Sequence, residues 1–135
     1  MIKRMRFSEN WNGKLCLDVF TTIREYNYDH YREDDLFEIE LKGEVIGIAV
    51  LLMRKPFPLK ALNDTTAYTD CGHGAPYLSK LLRSFHKDLT PDSNVYMLWL
   101  QWRERNVVAQ AELFKAWWQK CLEKNPSSVQ QQLSF

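Results

Sequence analysis

Two threonines and an arginine lie in one β-prone run of this 135-residue chain, Phe20 to Arg24. On a strand, Thr22 and Arg24 point to the same face, because successive side chains alternate. A guanidinium offers two parallel donors to a phosphate, and a neighbouring hydroxyl adds a third. The run therefore predicts a grip for a phosphate or for the polar edge of a base.

Aromatic and basic side chains near this run would complete a nucleotide site. Stacking of a base on an aromatic ring is worth about 1–3 kcal/mol in proteins that bind single strands. Three tyrosines follow the run, and two arginines of the first predicted strand share a face. The predicted ligand-binding residues are Thr22, Arg24, Tyr26, Tyr28, Tyr31, Asp70, Arg4 and Arg6.

A structural interpretation of the same residues stays open. A buried arginine must find an anion, and the protein itself offers Glu25, Glu38 and Asp70 to Arg24. The threonines would then be strand formers, and the tyrosines would pack half-buried at the rim of the fold. The two interpretations differ in what Arg24 faces, a cleft or a carboxylate.

Composition limits the class of protein. Apolar residues make up 45% of the chain, enough for the core of one domain. The formal net charge of +1 argues against nucleic-acid binding by bulk charge and leaves only a local patch. The three cysteines are an odd number at wide spacing, which favours a reducing compartment. We expect a cytoplasmic protein without a membrane segment, a metal or a cofactor, since Cys71 and His73 lack further ligands at useful spacing.

Hydrophobic periodicity predicts the elements that position these residues. Lys42-Gly43 predicts a hairpin turn and Gly47 a bulge, whereas the prolines of Lys55–Leu62 predict the end of the long strand. Thr65 or Thr66 is expected to begin a short helix that ends at Gly72 or Gly74. Strands are predicted at 2–7, 20–24, 35–41, 44–54 and 95–102, and the other helices at 8–17, 75–87 and 106–124.

The predicted fold class is α+β, mainly β: a small barrel with peripheral helices. Residues 1–104 would form the barrel domain, 105–124 a C-terminal helix packed on it, and 125–135 a disordered tail. Trp117 and Trp118 are adjacent in that helix and point about 100° apart. One would pack on the barrel, and the other would cover a barrel end or join two copies in a homodimer. A third alternative for the function is thus a protein-interaction domain, in which the aromatic C-terminal helix serves self-association or binds a protein partner.

In this order of elements the chain resembles the ASCH domains of the PUA-like superfamily. Thr21 to Arg24 is similar to the end of their G-x-K-x-x-T-x-R signature, and His30 to Leu41 resembles their entry to the next strand. The stretches KPFPLKALND, AYTDCG and NVYMLWLQW continue the likeness, which covers roughly residues 2–103. The resemblance implies a small PUA-like barrel with an RNA- or nucleotide-binding cleft beside the signature strand.

Some members of that family resemble small amidohydrolases that act on an acetylated cytidine nucleoside through a lysine, a threonine and a downstream carboxylate. Thr22 falls on the signature threonine, and Asp70 falls near the carboxylate. The signature lysine falls on Val19, and the nearest lysine, Lys14, needs a remodelled loop to reach the same place. The resemblance therefore implies a binding domain first and, as the alternative, a hydrolase that uses Thr22, Asp70 and Lys14.

Overall fold

The computed structural model describes residues 2–124, which form five strands and three α-helices. Helix and strand take about equal shares, and the predicted α+β class is confirmed. Short 3-10 helices lie at Trp11–Cys16 and Leu59–Ala61. The predicted tail, 125–135, lies outside the described residues. The elements are β1 (Lys3–Phe7), β2 (Val19–Glu25), β3 (Leu36–Leu41), β4 (Glu44–Pro58), α1 (Asp64–Cys71), α2 (Ala75–Phe85), β5 (Asn94–Arg105) and α3 (Val107–Lys124).

The five strands form one curled sheet, a half-barrel, in the order β1-β3-β4-β5-β2. β1 pairs with β3 in parallel, and the other three pairings are antiparallel. β5 is paired on both sides and is longer than the strand predicted at 95–102. β1 and β2 are the two edges of the sheet. We call the gap between these edges the seam.

The two faces of the sheet bury different cores. The concave face carries the larger cluster, in which Phe20 of β2 packs against Phe7 of β1 and Trp102 of β5. The other face packs against α1 and α2 through a cluster that includes Ile23 and Met97. Because the faces alternate along β2, this strand carries core residues of both clusters.

β4 does not end at its prolines, contrary to the sequence prediction. It runs through Pro56 to Pro58, and this part of the strand still pairs with β5. Its last pairing with β3 is at Val50, so the segment beyond has a strand neighbour on one side only. A proline is tolerated there, because the missing N–H falls on an edge that forms no ladder.

The turn and bulge predictions are confirmed. Lys42 and Gly43 join β3 to β4 with φ of 51° and 86°, the pair of positive angles of a type I′ hairpin turn. The register between β3 and β4 shifts beside Gly47, after the pair Ile39–Gly47. The resulting bulge bends β4 where the sheet curls.

Helix boundaries depend on caps, which explains one wrong prediction. α1 begins at Asp64 because the side chain of Asn63 accepts a hydrogen bond from the Thr66 N–H at 2.8 Å. Neither Thr65 nor Thr66 is therefore the first residue. Gly72 ends this helix in the left-handed conformation, as predicted, with φ of 79°.

The C-terminal helix α3 packs on the concave end of the sheet through Ala109 and Leu113. Trp117 lies against the first 3-10 helix, so one of the two tryptophans does pack on the domain. The homodimer contact stays a prediction. Across residues 2–124, the helices are too short or too polar to cross a bilayer.

Replacement of Phe20 by alanine should lower the free energy of unfolding by about 3–5 kcal/mol, the range for a buried phenylalanine. Phe20 is 1% exposed and joins an edge strand to the centre of the core. Denaturant unfolding measures the loss. Val108→Ala, at a position 67% exposed, should change stability by less than about 0.5 kcal/mol. Equal effects of the two substitutions would contradict this description of the core.

Candidate functional site in the seam

The seam between β1 and β2 opens into a cavity of about 450 Å³. α1 and α2 cover one side of it, and the β3–β4 turn closes another. Four basic side chains and two carboxylates line it, which leaves a net formal charge of +2 with histidine neutral. The whole chain carries only +1, so positive charge is concentrated here. The residues with these charges are Arg6, Lys14, Arg24, Lys42, Glu40 and Asp70.

Arg24 crosses the seam from β2 to β1. Its Nη2 donates to the main-chain oxygen of Arg6 at 2.7 Å, and its Nε donates to Oγ1 of Thr22 at 3.0 Å. The guanidinium lies over the ring of Phe7, 4.5 Å from the centroid. Within residues 2–124 it forms no salt bridge, so the predicted partners Glu25, Glu38 and Asp70 are wrong. Nη1 and one N–H of Nη2 are left for another acceptor.

Lys14 reaches the same cavity because the chain before it turns sharply. Asn12 and Gly13 are both left-handed, with φ of 55° and 66°, inside the Trp11–Cys16 segment. Glycine adopts this conformation freely, and asparagine tolerates it better than most residues. This kink directs Lys14 into the wall of the cavity.

One carboxylate oxygen of Asp70 accepts hydrogen bonds from both Lys14 and Thr21. Oδ1 of Asp70 accepts from Nζ of Lys14 and from Oγ1 of Thr21, each at 3.0 Å. The side chains of Lys14 and Asp70 are 5% and 4% exposed. Thr21 lies on the outer face of β2, opposite to Thr22, so the strand contributes one hydroxyl to each side of the seam. Asp70 is thus a structural partner, of Lys14 rather than of Arg24.

Burial lowers the pKa of the Lys14 amine, although the attraction of Asp70 opposes the shift. The folded pKa then lies below the unfolded one. Between the two values the unfolded chain binds more protons, and the free energy contributed by this group to stability rises with pH. Burial also lowers the pKa of the Arg24 guanidinium, which remains charged at neutral pH. With its pKa lowered, the buried Lys14 amine loses its proton more readily than an exposed lysine does and can serve as a base.

The structure does not bring the predicted tyrosines to this cavity. Tyr26 stacks on Tyr96 with ring centroids 4.7 Å apart. Tyr28 lies under the guanidinium of Arg54, and Tyr31 packs against Phe37 of the core. The three rings therefore support the concave core and its rim, which is the structural interpretation.

The two arginines of β1 have different environments. Arg4 pairs with Glu38 at 3.1 Å and does not line the cavity. Arg6 lines it, and its Nε pairs with Glu40 at 3.0 Å. Of the predicted residues, the cavity thus collects Arg6, Thr22, Arg24 and Asp70, together with the lysine named for the alternative, Lys14.

Sequence reasoning missed the aromatic side chains that do line the cavity. Trp11 lies in the 3-10 helix before the kink, and Phe85 ends α2 with 59% of its surface exposed. For Phe85, the signal available in the sequence was its place at the C-terminal end of the apolar stripe of α2. Within the described part of the chain, no three His, Cys, Asp or Glu side chains come together in a way that could hold a metal ion.

Comparisons with known proteins add no identification. The chain matches no protein-family description. Nor does it significantly resemble a protein of curated function. The geometry of the seam must therefore carry any functional conclusion.

Removal of either partner of the buried Lys14–Asp70 pair should lower the free energy of unfolding. Removal of both partners should lower it by less than the sum of the two single effects. Lys14→Met and Asp70→Asn should each lower the free energy of unfolding by about 3–5 kcal/mol, because each leaves a buried group without its partner. The double variant should lose clearly less than the sum, by at least about 1 kcal/mol. Denaturant unfolding of all four proteins measures the coupling.

The exposed pair Lys60–Asp92 provides the control, since its side chains are 62% and 80% exposed. Lys60→Met should cost less than about 1 kcal/mol. Strict additivity of the two substitutions at Lys14 and Asp70 would show that their contact contributes nothing of its own.

Proposed function

We propose that this protein is a binding domain for a nucleotide-like ligand, held in the seam between β1 and β2. The observation that carries the proposal is Arg24, a guanidinium that lines a cavity and forms no salt bridge within residues 2–124. Its unused N–H groups suit two oxygens of one phosphate. Thr22 keeps its own hydroxyl proton as a further donor beside them.

Size and lining support a single nucleotide rather than a long strand. A cavity of about 450 Å³ lies in the usual range for small-molecule sites, about 300–1,000 Å³. Trp11 and Phe85 offer ring surface for a base, the role predicted for the tyrosines. The ligand is then a free nucleotide or the terminal nucleotide of an RNA strand.

The resemblance to ASCH domains supports the same proposal. The chain resembles ASCH domains, for which the resemblance implies a cleft beside the signature strand, and the seam cavity lies beside β2 with Thr22 and Arg24 in its wall. Val19 stands where the family has its signature lysine, and in this proposal Lys14, which lines the same cavity, takes the role of that lysine.

Lys14 favours a second candidate, hydrolysis of an acylated nucleoside. Its amine has a pKa lowered by burial, lies 3.0 Å from a carboxylate oxygen and lines the same cavity as Thr22. Such an amine can take the proton of the Thr22 hydroxyl as that oxygen attacks the amide carbon, and can then give the proton to the departing amine of the nucleoside as the C–N bond breaks. A water molecule then hydrolyses the acyl ester, which releases the carboxylic acid and restores the hydroxyl.

Binding is tested by titration of nucleoside 5′-monophosphates and of the matching nucleosides, at two salt concentrations. The monophosphate should bind more tightly, because Arg24 contacts the phosphate. Arg24→Ala should weaken its binding by about 1–3 kcal/mol, the scale for a hydrogen bond to a charged group. Each phosphate contact with a single strand adds about 0.7 to the salt slope, so a short RNA held by its end should give a slope between about −1 and −2.

Arg4→Ala is the matched control, since Arg4 lies on β1 outside the cavity. It should leave affinity unchanged. Thermal melting of each variant separates binding from stability, because Arg24 also joins β2 to β1. Equal binding of nucleoside and monophosphate, with Arg24→Ala affecting stability alone, would make the arginine a structural clamp and reject the proposal.

The second candidate predicts release of acetate from an acetylated cytidine, measured by chromatography. Lys14→Met and Thr22→Val should each remove most of the turnover, since cooperating groups fail together. Tyr28→Phe, outside the cavity, should keep it. If the wild-type protein releases no acetate but still binds the monophosphate, the hydrolase candidate is rejected and the binding function stands.

A further inference from the structure

We propose that Trp117, in the C-terminal helix α3, is a positioning residue that holds Lys14 in the seam. The ligand site would then form only while α3 is docked, which makes this helix a control element for the site. The inference rests on the proposed function as far as ligand affinity is concerned. Its structural part, the placement of Lys14, stands without any ligand.

Trp117 packs so closely on Gly13 that no larger residue fits at position 13. A Cβ on Gly13 would fall into the indole ring of Trp117, where it would meet Cε2, Nε1 and Cδ2. Gly13 is buried and has φ of 66°, so both the space and the backbone conformation require glycine there. The indole therefore covers the left-handed kink directly, one residue before Lys14.

Lys14 is fixed from both sides along the chain. On the far side, Nε1 of Trp102 donates to the main-chain oxygen of Leu15 at 3.2 Å, and Leu15 is fully buried. On the near side, the indole of Trp117 packs on Gly13. With both neighbours held, the Lys14 side chain lies in the wall of the cavity, where Oδ1 of Asp70 accepts a hydrogen bond from its Nζ at 3.0 Å.

The near side is the weaker of the two supports. Asn12 has φ of 55°, and a non-glycine residue in that region carries conformational strain. The side-chain amide of Asn12 donates to the Tyr68 oxygen at 3.3 Å, a long hydrogen bond at the end of α1. The strained kink would relax if the indole that covers it were removed, and Lys14 would then lose its alignment with Asp70.

Trp118 provides a comparison within the same helix. Its ring stacks on Phe114, with centroids 6.3 Å apart and planes at 9°. Phe114 is 51% exposed and also contacts Trp117, with centroids 6.0 Å apart, whereas the three atoms nearest to a Cβ on Gly13 all belong to Trp117. The proposal assigns the effect on Lys14 to Trp117 and none to Trp118.

Amine acetylation of the folded protein tests this placement, with each lysine read by peptide mass spectrometry. In the wild type, Lys14 should be protected relative to the exposed Lys60. Trp117→Ala should raise the acetylation rate of Lys14 about tenfold or more, as local opening exposes the amine, and Trp117→Phe should restore most of the protection. Trp118→Ala should leave Lys14 as protected as in the wild type.

Three results would overturn the proposal. One is a Lys14 that stays as protected in Trp117→Ala as in the wild type. Another is equal exposure of Lys14 in the Trp117 and Trp118 variants at equal melting temperature, which would mean general loosening. The third is a failure of phenylalanine to restore protection when the Trp117→Phe protein is as stable as the wild type.

A double-mutant cycle with Gly13→Ala tests the contact itself. In the wild-type background this substitution meets both the indole and an unfavourable φ; in the Trp117→Ala background it meets the unfavourable φ alone. Gly13→Ala should therefore expose Lys14 in the first case and add clearly less exposure in the second. Additive effects would show that the two residues act separately.

The functional arm uses the same variants with a nucleoside 5′-monophosphate. Weaker binding in Trp117→Ala than in Trp118→Ala is expected, with restoration by Trp117→Phe. If no protein of the series binds the nucleotide, the proposed function fails while the acetylation result still decides the role of Trp117. If the wild type binds and Trp117→Ala binds equally, the control of the site by α3 is rejected.

Discussion

The ion pair between Lys14 and Asp70 is the interaction on which the arrangement of the seam depends. It joins three segments of the chain, since Asp70 lies in the last turn of α1, Lys14 follows the left-handed kink and Thr21 of β2 donates to the same carboxylate oxygen. Removal of two charges from water costs several kcal/mol per ion, and attraction offsets this only with good geometry and further hydrogen bonds. Apolar residues of equal volume would often do as well for stability alone. Stability alone therefore does not account for a buried pair in the wall of a cavity, and the proposed function would give it a use.

Arg24 complements this pair from the other side of the seam. It ties β2 to β1 through the Arg6 oxygen and rests on Phe7, and it leaves donors unused. The half-barrel is thus closed at one place by a side chain where a barrel would have backbone hydrogen bonds. Such a closure leaves a cavity beside it, which a continuous ladder between β1 and β2 would have filled.

Local patterns in the sequence predicted most of the fold. The alternation of Phe37 and Ile39 against glutamates, the Lys42-Gly43 turn and the apolar stripe of α2 each depend on neighbours in the chain. The extent of β4 was missed, because a proline is tolerated or excluded according to the strands beside it. The site was predicted in part: Thr22 and Arg24 follow from strand alternation. The position of Lys14 depends on a left-handed kink and on a carboxylate far away in the sequence, and no local pattern reveals either. Tyrosines at a rim also look the same in sequence as tyrosines in a cleft.

The parallel pairing of β1 with β3, and the pairing of β2 with β5, set the order in which the chain can assemble during synthesis. β2 leaves the ribosome well before β5, its strand partner within residues 2–124, which begins at Asn94. Until β5 has been made, β2 stays an unpaired edge that carries Phe20 and Ile23, and unpaired edges favour association with other chains. Contacts between residues so far apart in sequence also slow folding. The seam is therefore the last part of the sheet to form, and its cavity is absent from a growing chain until β5 has been synthesised.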